Sequence, residues 1–459
     1  MKSSKAEILS RVYVLPEVRF ENQTLTSFSG LTLFQALLAR LDLKTKLRAC
    51  FVGARTLGIY GLHVVFLQLV LQIVAGFRRL RDRDYYCDDP LFCRVLGVRK
   101  LPDVSTISRT LGAATPACVE RVRTLSRQMV LDRLAQLELS RVTLDFDGSV
   151  LSTRGHAEGT AVGFNRKRRG ARSYYPLFCT VAQTGQFLDF HHRPGNVHDS
   201  NGAFGFMQRC IDPVQEALPH AQLESRMDGA FFDQNLLAQL HTCGVEFSVS
   251  LPFERFCELK RMVEDRKRWH WLDATWSYFE TSWLPKSWDD APYRVIFIRK
   301  RYAKPRKGPL QLDLFEPRDT DYQYKAIMTD KTVGPHAVLL FHNGRGSQEG
   351  VLGEAKQHAQ LDCVPCRRLV ANQMYMAATL LAHNLGRELQ MATWAQDRKT
   401  TPTRMALWAF DTLGTLRDRL IRRAGKVTRP GGKLTLTVSA NDTAREEFLT
   451  YLDALRHAA

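Results

Sequence analysis

Three acidic residues occupy positions from which a folded sheet could bring them to one point. Asp147 closes the alternating run LDFDGS, Asp228 ends QLESRMD just before a helical pattern, and Glu349 lies near the start of HNGRGSQEGVLGEAK. Acids at strand ends converge on one edge of a sheet, and a helix packed there can add a third. Three carboxylates at one point repel, so their ionised forms need a counter-charge. Two hard divalent cations roughly 3.5–4 Å apart supply it and activate water for attack on a phosphodiester. All-oxygen donors suit Mg²⁺ or Mn²⁺, and two ions are expected. Asp145 shares a strand face with Asp147 and stands as the alternative first acid.

The third acid comes with cations. Arg345, Glu349 and Lys356 are spaced by four and seven residues, which places them near one face of a helix. A carboxylate flanked by two cations suits a metal site beside phosphates, while the plainer alternative is a surface i,i+4 ion pair worth roughly a few tenths of a kcal/mol. Gly350 and Gly353 argue against the plainer one. Each costs a helix interior about 1 kcal/mol against Ala, which points to close approach by another backbone or by DNA.

The whole chain is basic. Its 459 residues carry 65 Lys plus Arg against 47 Asp plus Glu, a net charge of +18. Such an object associates with polyanions. The stretch NRKRRGAR holds Arg166, Lys167, Arg168, Arg169 and Arg172; two more basic runs are Arg299 to Lys307 and RDRLIRRAGKVTR. Each is a candidate DNA track or a solvated face. His191, His192 and His198 are a candidate metal cluster or ordinary loop histidines. Five of the seven Trp fall between Trp269 and Trp288, where they either stack on a flipped base or pack among strands. The ten cysteines show no disulfide framework, and the lone C-x-x-C at Cys363 and Cys366 lacks a second pair for zinc. Leu57 to Phe77 carries no charge and is long enough to span a bilayer. It contains His63, Gln68 and Gln72 and runs into Arg78, Arg79 and Arg81, so a buried core helix is expected instead. With no signal-peptide pattern at the start, a cytoplasmic, nucleoid-associated chain with no membrane partner is expected.

The elements that must position these residues divide the sequence. Residues 1–139 read as helical, with Ser105 or Thr106 as candidate cap of a short helix that suits either helix-turn-helix DNA contact or packing. From 140 to 251 strands dominate: RVTLDFDGSVLS alternates, a hairpin turns near Gln183-Thr184-Gly185, helices follow in AFGFMQRCIDPVQEAL and FFDQNLLAQLHTCG, and VEFSVSLP is a strand. Residues 252–335 read as a mostly β insertion, 336–400 as helical, and 401–459 as a basic region with a hairpin at Pro430-Gly431-Gly432.

These blocks resemble a transposase of the DDE type, of the insertion sequence 1380 group within the insertion sequence 4-like superfamily. Its third-acid motif is aromatic, Arg, three residues, Glu, six residues, Lys, matched here by Arg345, Glu349 and Lys356, with Phe341 one residue further from the Arg than usual. LPDVSTISRTL, SYYPLFCTVAQTGQFLDFHHRPGNVHDSNGA and RMDGAFF are similar to further family blocks, and D-G-S at Asp147 to the family's Asp-x-Ser. The resemblance implies an α/β fold: a ribonuclease H-like catalytic core interrupted by a mostly β insertion, with a helical N-terminal domain for DNA binding or dimerisation. It also implies cut-and-paste chemistry on terminal inverted repeats and target DNA, by a homodimer on double-stranded DNA. The alternatives are a nuclease of the same fold without strand transfer, and a domesticated, non-catalytic DNA-binding protein, which a lost acid or a lost Arg or Lys would mark; this sequence keeps them all.

Overall fold

A computed structural model describes residues 15–457 apart from 55–57, 154, 166, 253–254, 290, 302–320, 400 and 402–404. Arg166 and most of the Arg299 to Lys307 run therefore lie outside the described residues. A short strand, β1 (Leu25–Thr26), is followed by α1 (Leu31–Arg40), α2 (Leu43–Cys50), α3 (Leu62–Ala75), α4 (Pro90–Leu96), α5 (Val104–Gly112) and α6 (Pro116–Gln136). The uncharged run forms α3, which is buried along most of its length and ends at Gly76 in the left-handed conformation (φ 96°) that glycine tolerates. No helix among the described residues is long and apolar enough to cross a membrane. The cap of α5 lies two residues before Ser105 and three before Thr106. Asp103 caps it, accepting from Thr106 N at 2.6 Å, and Ser105 instead donates its hydroxyl to Asp103. A carboxylate outcompetes a hydroxyl there because it accepts both donors at once.

Then come β2 (Arg141–Gly148), the small strands β3 (Leu151–Ser152), β4 (Ala161–Val162) and β5 (Arg172–Tyr174), and the hairpin β6 (Leu177–Val181) and β7 (Gln186–His191). They are followed by α7 (Ala203–Ala217), β8 (Gln222–Met227), α8 (Gln234–Thr242) and β9 (Glu246–Ser250). Residues 252–335 add α9 (Cys257–Glu264), β10 (His270–Trp271), β11 (Trp276–Trp283), β12 (Tyr293–Arg301) and β13 (Tyr322–Thr329). The chain returns to helices in α10 (Pro335–Asn343), α11 (Gly346–His358) and α12 (Leu369–Thr393), and closes with β14 (Gly425–Thr428), β15 (Thr435–Val438) and α13 (Asp442–His457).

Among the described residues nine strands form one sheet in the order β10-β11-β12-β13-β9-β8-β2-β6-β7. β2, β8 and β9 are mutually parallel neighbours; β6 and β7 extend the sheet on one side in antiparallel fashion, and β13 on the other. The inserted strands thus continue the central sheet rather than building a separate one. One face of β2 carries Val142, Leu144 and Phe146 into a core shared with α6, α7 and α8, Phe146 meeting Phe206 of α7 edge to face. The opposite face is buried too. Thr143 and Asp145 are covered, so their polar groups need protein partners, and Thr143 Oγ1 donates to Glu224 Oε2 at 3.1 Å. α10 covers the inserted strands on one side, Val338 and Leu339 packing on Ile296, Ile298 and Ile327.

The two ends of the chain meet. β1 pairs with β14, β14 with β15, and α13 packs on α1 and α12. The long α12 also packs on α3. Part of the last basic run is taken up in this packing. Arg417 is buried and donates to the carbonyls of Val74, Ile73 and His358, and Arg419 pairs with Asp411 and Glu447. Arg417 thus closes the ends of two helices, and Arg419 is neutralised by two carboxylates.

Candidate active site

Two parallel strands deliver two acids to one place. Asp145 on β2 stands opposite Arg226 on β8. Two residues further along each strand come Asp147 and Asp228, at the carboxyl ends of both. Asp228 caps a short helical turn, Gly229–Phe231, with Oδ1 accepting from Ala230 N at 3.0 Å. Asp147 accepts from Gly148 N at 2.8 Å. Burial and the nearby Asp228 carboxylate push Asp147 up to about 7, although Arg345 works in the opposite direction. This is what two acids facing one another without enough positive charge should do.

The third predicted acid sits beside them, held by a cation. The Arg345 guanidinium lies 3.7 Å from Asp147 Oδ2 and 3.1 Å from Glu349 Oε1. The i,i+4 pair expected from the spacing is present, but its Arg also reaches across to the first acid. Glu349 is largely exposed, at 62%. Among the described residues no three His, Cys, Asp or Glu side chains are grouped tightly enough to hold one ion. The donor set is nevertheless hard oxygen, and the unmet negative charge of the Asp147 and Asp228 pair is what a divalent cation would neutralise. The residues fit such an ion if Glu349 exchanges Arg345 for it. Asp145 does not share this position. Both its oxygens accept from Arg226, at 2.6 and 2.5 Å, and both side chains are 1% exposed.

A cavity of about 760 Å³ opens beside the acids, lined by Gly148, Asp228, Lys356, Lys167, Arg168 and Arg78, among others. Lys356 therefore faces the site from the same helix as Glu349. Burial and the neighbouring Lys167 lower its pKa, against the pull of Asp362 and Asp147. Arg169 is exposed and outside the cavity lining. Along α11, Gly346, Gly350 and Gly353 have nothing within 4 Å of where a Cβ would stand. Among the described residues no other part of the chain approaches these glycines, so the close approach of another backbone is not found there.

Sequence reasoning missed Tyr175 and Asp199. Tyr175 Oη donates to Asp199 Oδ2 at 2.7 Å, and Arg193 holds the other oxygen at 3.2 Å. Both line the cavity, and a Cβ on Gly148 would lie 2.4 Å from Asp199 Oδ1 and 2.7 Å from Tyr175 Cζ. The signal lay in the SYYP and NVHDS blocks. The candidate histidines form no metal cluster: His192 packs on Tyr174, and His191 stacks on Phe206. Burial pushes them down to about 3 and about 4. Four of the tryptophans are packing or cation-stacking residues, with Trp269 against Phe279, Trp276 under Lys300, Trp283 against Phe256 and Trp288 on Phe232. Trp271 alone of the five is mostly exposed. Cys363 and Cys366 are free thiols.

A family model described as transposase DDE domain group 1 matches residues 14–459. No curated protein matches the chain. Among solved structures, a cryo-EM structure of a piggyBac transposase synaptic complex with hairpin DNA is similar at 11% identity and a TM-score of 0.42, over 86% of this chain and 80% of that one. That likeness is too loose to bear on fold or function.

Proposed function

The chain belongs to the transposase DDE domain group 1 family, a DNA-cutting and strand-transferring enzyme family, and from that premise we propose that Asp147, Asp228 and Glu349 are its acidic triad. The observation that carries the assignment is the placement of Asp147 and Asp228 at the carboxyl ends of adjacent parallel strands, close enough for their charges to interact, with Glu349 linked to Asp147 through Arg345. The order β7-β6-β2-β8-β9, in which β6 runs against the other four, supports a ribonuclease H-like core formed by residues 140–251 and 336–400. On this reading residues 252–335 are the insertion, 1–139 the DNA-binding or dimerisation region, and 401–459 a basic C-terminal region folded against the first. The Arg345, Glu349 and Lys356 spacing supports membership of the insertion sequence 1380 group.

Asp147 and Asp228 would hold divalent metal, Mg²⁺ or Mn²⁺ and two ions in the full reaction, with Glu349 completing the set. Bound metal activates water and offsets charge on the leaving oxygen. The chain's own groups do the rest. Lys356, Lys167 and Arg168, which line the cavity, would contact phosphates, and the same role is proposed for Arg166 and Arg169 of that run. Once Glu349 leaves it, Arg345 is free to pair with a phosphate, which its planar fork suits. The bare glycine edge of α11 lets a DNA backbone come close. Water attack frees a 3′-hydroxyl, which then attacks a target strand. Two element ends must be held together for this, so the working form is a homodimer on terminal inverted repeats, in the cytoplasm.

Glu349→Gln tests the triad. It keeps shape and removes charge, so cleavage of a labelled terminal repeat in Mg²⁺ should vanish while binding of the same duplex persists. Full cleavage by the variant would overturn the assignment.

A further inference from the structure

The three acid-bearing elements are fastened to one another by a buried polar joint just behind the acids. Its centre is the Asp145–Arg226 pair, which crosses from β2 to β8 two residues before Asp147 and Asp228. The same guanidinium donates through Nη1 to the carbonyl of Phe341, at 3.2 Å, on the last turn of α10. There the chain turns through Gly344 into Arg345. A Cβ on Gly344 would lie 2.2 Å from Arg226 Nη1, so only glycine lets the turn close on the arginine. From the first turn of α11, Gln348, 1% exposed, donates to the main-chain carbonyl of Asp145 at 2.8 Å. His342 pins the same turn to β9, facing Ser248 Oγ at 3.0 Å and Ser250 Oγ at 2.9 Å.

We propose that Asp145, Arg226 and Gln348 are positioning residues that set the spacing of the triad, a proposal that rests on the triad assignment above. The chemistry of the joint fits the task. A bidentate guanidinium pair fixes angle as well as distance, which a lysine in the same place cannot do. A buried ion pair adds little net stability over an apolar pair of the same volume, so geometry is its better-founded use. Each partner reaches a different element: Asp145 is on the strand of Asp147, Arg226 on the strand of Asp228, and Gln348 adjoins Glu349. Loosening any one leaves all three carboxylates present and ionisable but alters where they stand.

Arg226→Lys and Gln348→Ala test this, with Asp147→Asn as control. Gln348→Ala deletes one side-chain hydrogen bond in a helix that alanine favours, so it carries the test even where Arg226→Lys fails to fold. Four quantities are compared with wild type: Mn²⁺ affinity by electron paramagnetic resonance on the DNA-free protein, binding of a duplex bearing the terminal repeat that flanks the coding sequence, cleavage of that duplex in Mg²⁺ and in Mn²⁺, and melting temperature. Expected are end binding near wild type, Mn²⁺ affinity and Mg²⁺-supported cleavage reduced by roughly tenfold or more, and a smaller loss in Mn²⁺, since Mg²⁺ demands near-ideal octahedral geometry. Equal losses in both metals that follow the folded fraction, with Mn²⁺ affinity unchanged, would overturn the proposal. If Asp147→Asn still cleaves, the triad reading falls with it. If Asp147→Asn is inactive while the other variants keep wild-type Mn²⁺ affinity and metal preference, only the positioning role falls.

Discussion

Glu354 lies on α11 between Glu349 and Lys356, and replacing it with Gln gives a pH-dependent loss that can be worked out in advance. Its carboxylate is 11% exposed. Oε2 accepts from Arg387 Nη2 at 2.5 Å, Oε1 accepts from Leu413 N at 3.1 Å, and His383 Nε2 faces Oε1 at 3.6 Å. Arg387 in turn donates to the Asp411 carbonyl and lies over the Phe410 ring. Burial alone would raise the Glu354 pKa, but His383, Arg387 and the Leu413 N–H together bring it from 4.5 down to about 2. Burial also lowers His383, so at neutral pH the arginine is the charged partner. The folded chain therefore holds the ionised form more tightly than the unfolded chain does. The stabilisation is complete above pH 4.5 and is lost as pH falls through 2. At about 1.4 kcal/mol per pKa unit it amounts to at most about 3 kcal/mol, of which about 1.4 kcal/mol remains at pH 3. With an unfolding entropy of roughly 2.1 cal/mol/K per residue, the chain as a whole loses about 3 °C of melting temperature per 3 kcal/mol. Thermal melts of wild type and Glu354→Gln at pH 7, 5, 4 and 3 read the gap. A gap that stays constant over that range refutes the argument, because it would make the carboxylate's charge irrelevant to the anchor.

Three other outcomes are expected. Asp147 keeps a proton in the metal-free folded chain up to about pH 7, whereas the unfolded chain releases it near 3.8, so wild-type stability should fall as pH rises between those values. Asp147→Asn escapes this loss and should gain on wild type by up to about 4 kcal/mol by pH 8; melts in chelator at pH 4 and 8 measure it, and a pH-independent difference would contradict it. Gly148→Ala drives a Cβ into Tyr175 and Asp199 and should cost about 1–3 kcal/mol in a denaturant titration, with end cleavage reduced as well; an unchanged midpoint would mean the cavity floor yields freely. Lys356→Ala should weaken end binding and lower the slope of log K against log salt by about 1, which a fluorescence titration at several salt concentrations will show or exclude.

Much of this was open to inspection in the residues themselves. The period-two run through Asp147, the i,i+4 spacing of Arg345 and Glu349, and the uncharged α3 are local patterns, and local patterns survive translation into structure. What stayed hidden depends on neighbours distant in sequence. Asp145 and Asp147 share a strand face, and periodicity cannot separate them; Arg226, eighty-one residues away, does so by occupying one and leaving the other. The inserted strands were recognisable by their β-branched and aromatic residues, but their union with the central sheet depends on β13 pairing with β9, which no local signal encodes. Arg417 reads as one cation among many until the helix end it closes is known.

The meeting of the chain's two ends also has a history in time. At about 5–20 residues per second, a ribosome that has finished α3 takes roughly 15–65 s more to finish α12, the helix on which α3 packs. β1 waits longer still for β14. Throughout that interval an uncharged helix of fourteen residues stands without its main cover. Whatever shields nascent apolar surface in the cell has its clearest task there. A message broken before the last sixty codons would yield a chain whose acids are all present but whose first helices never find the strand and helix that enclose them.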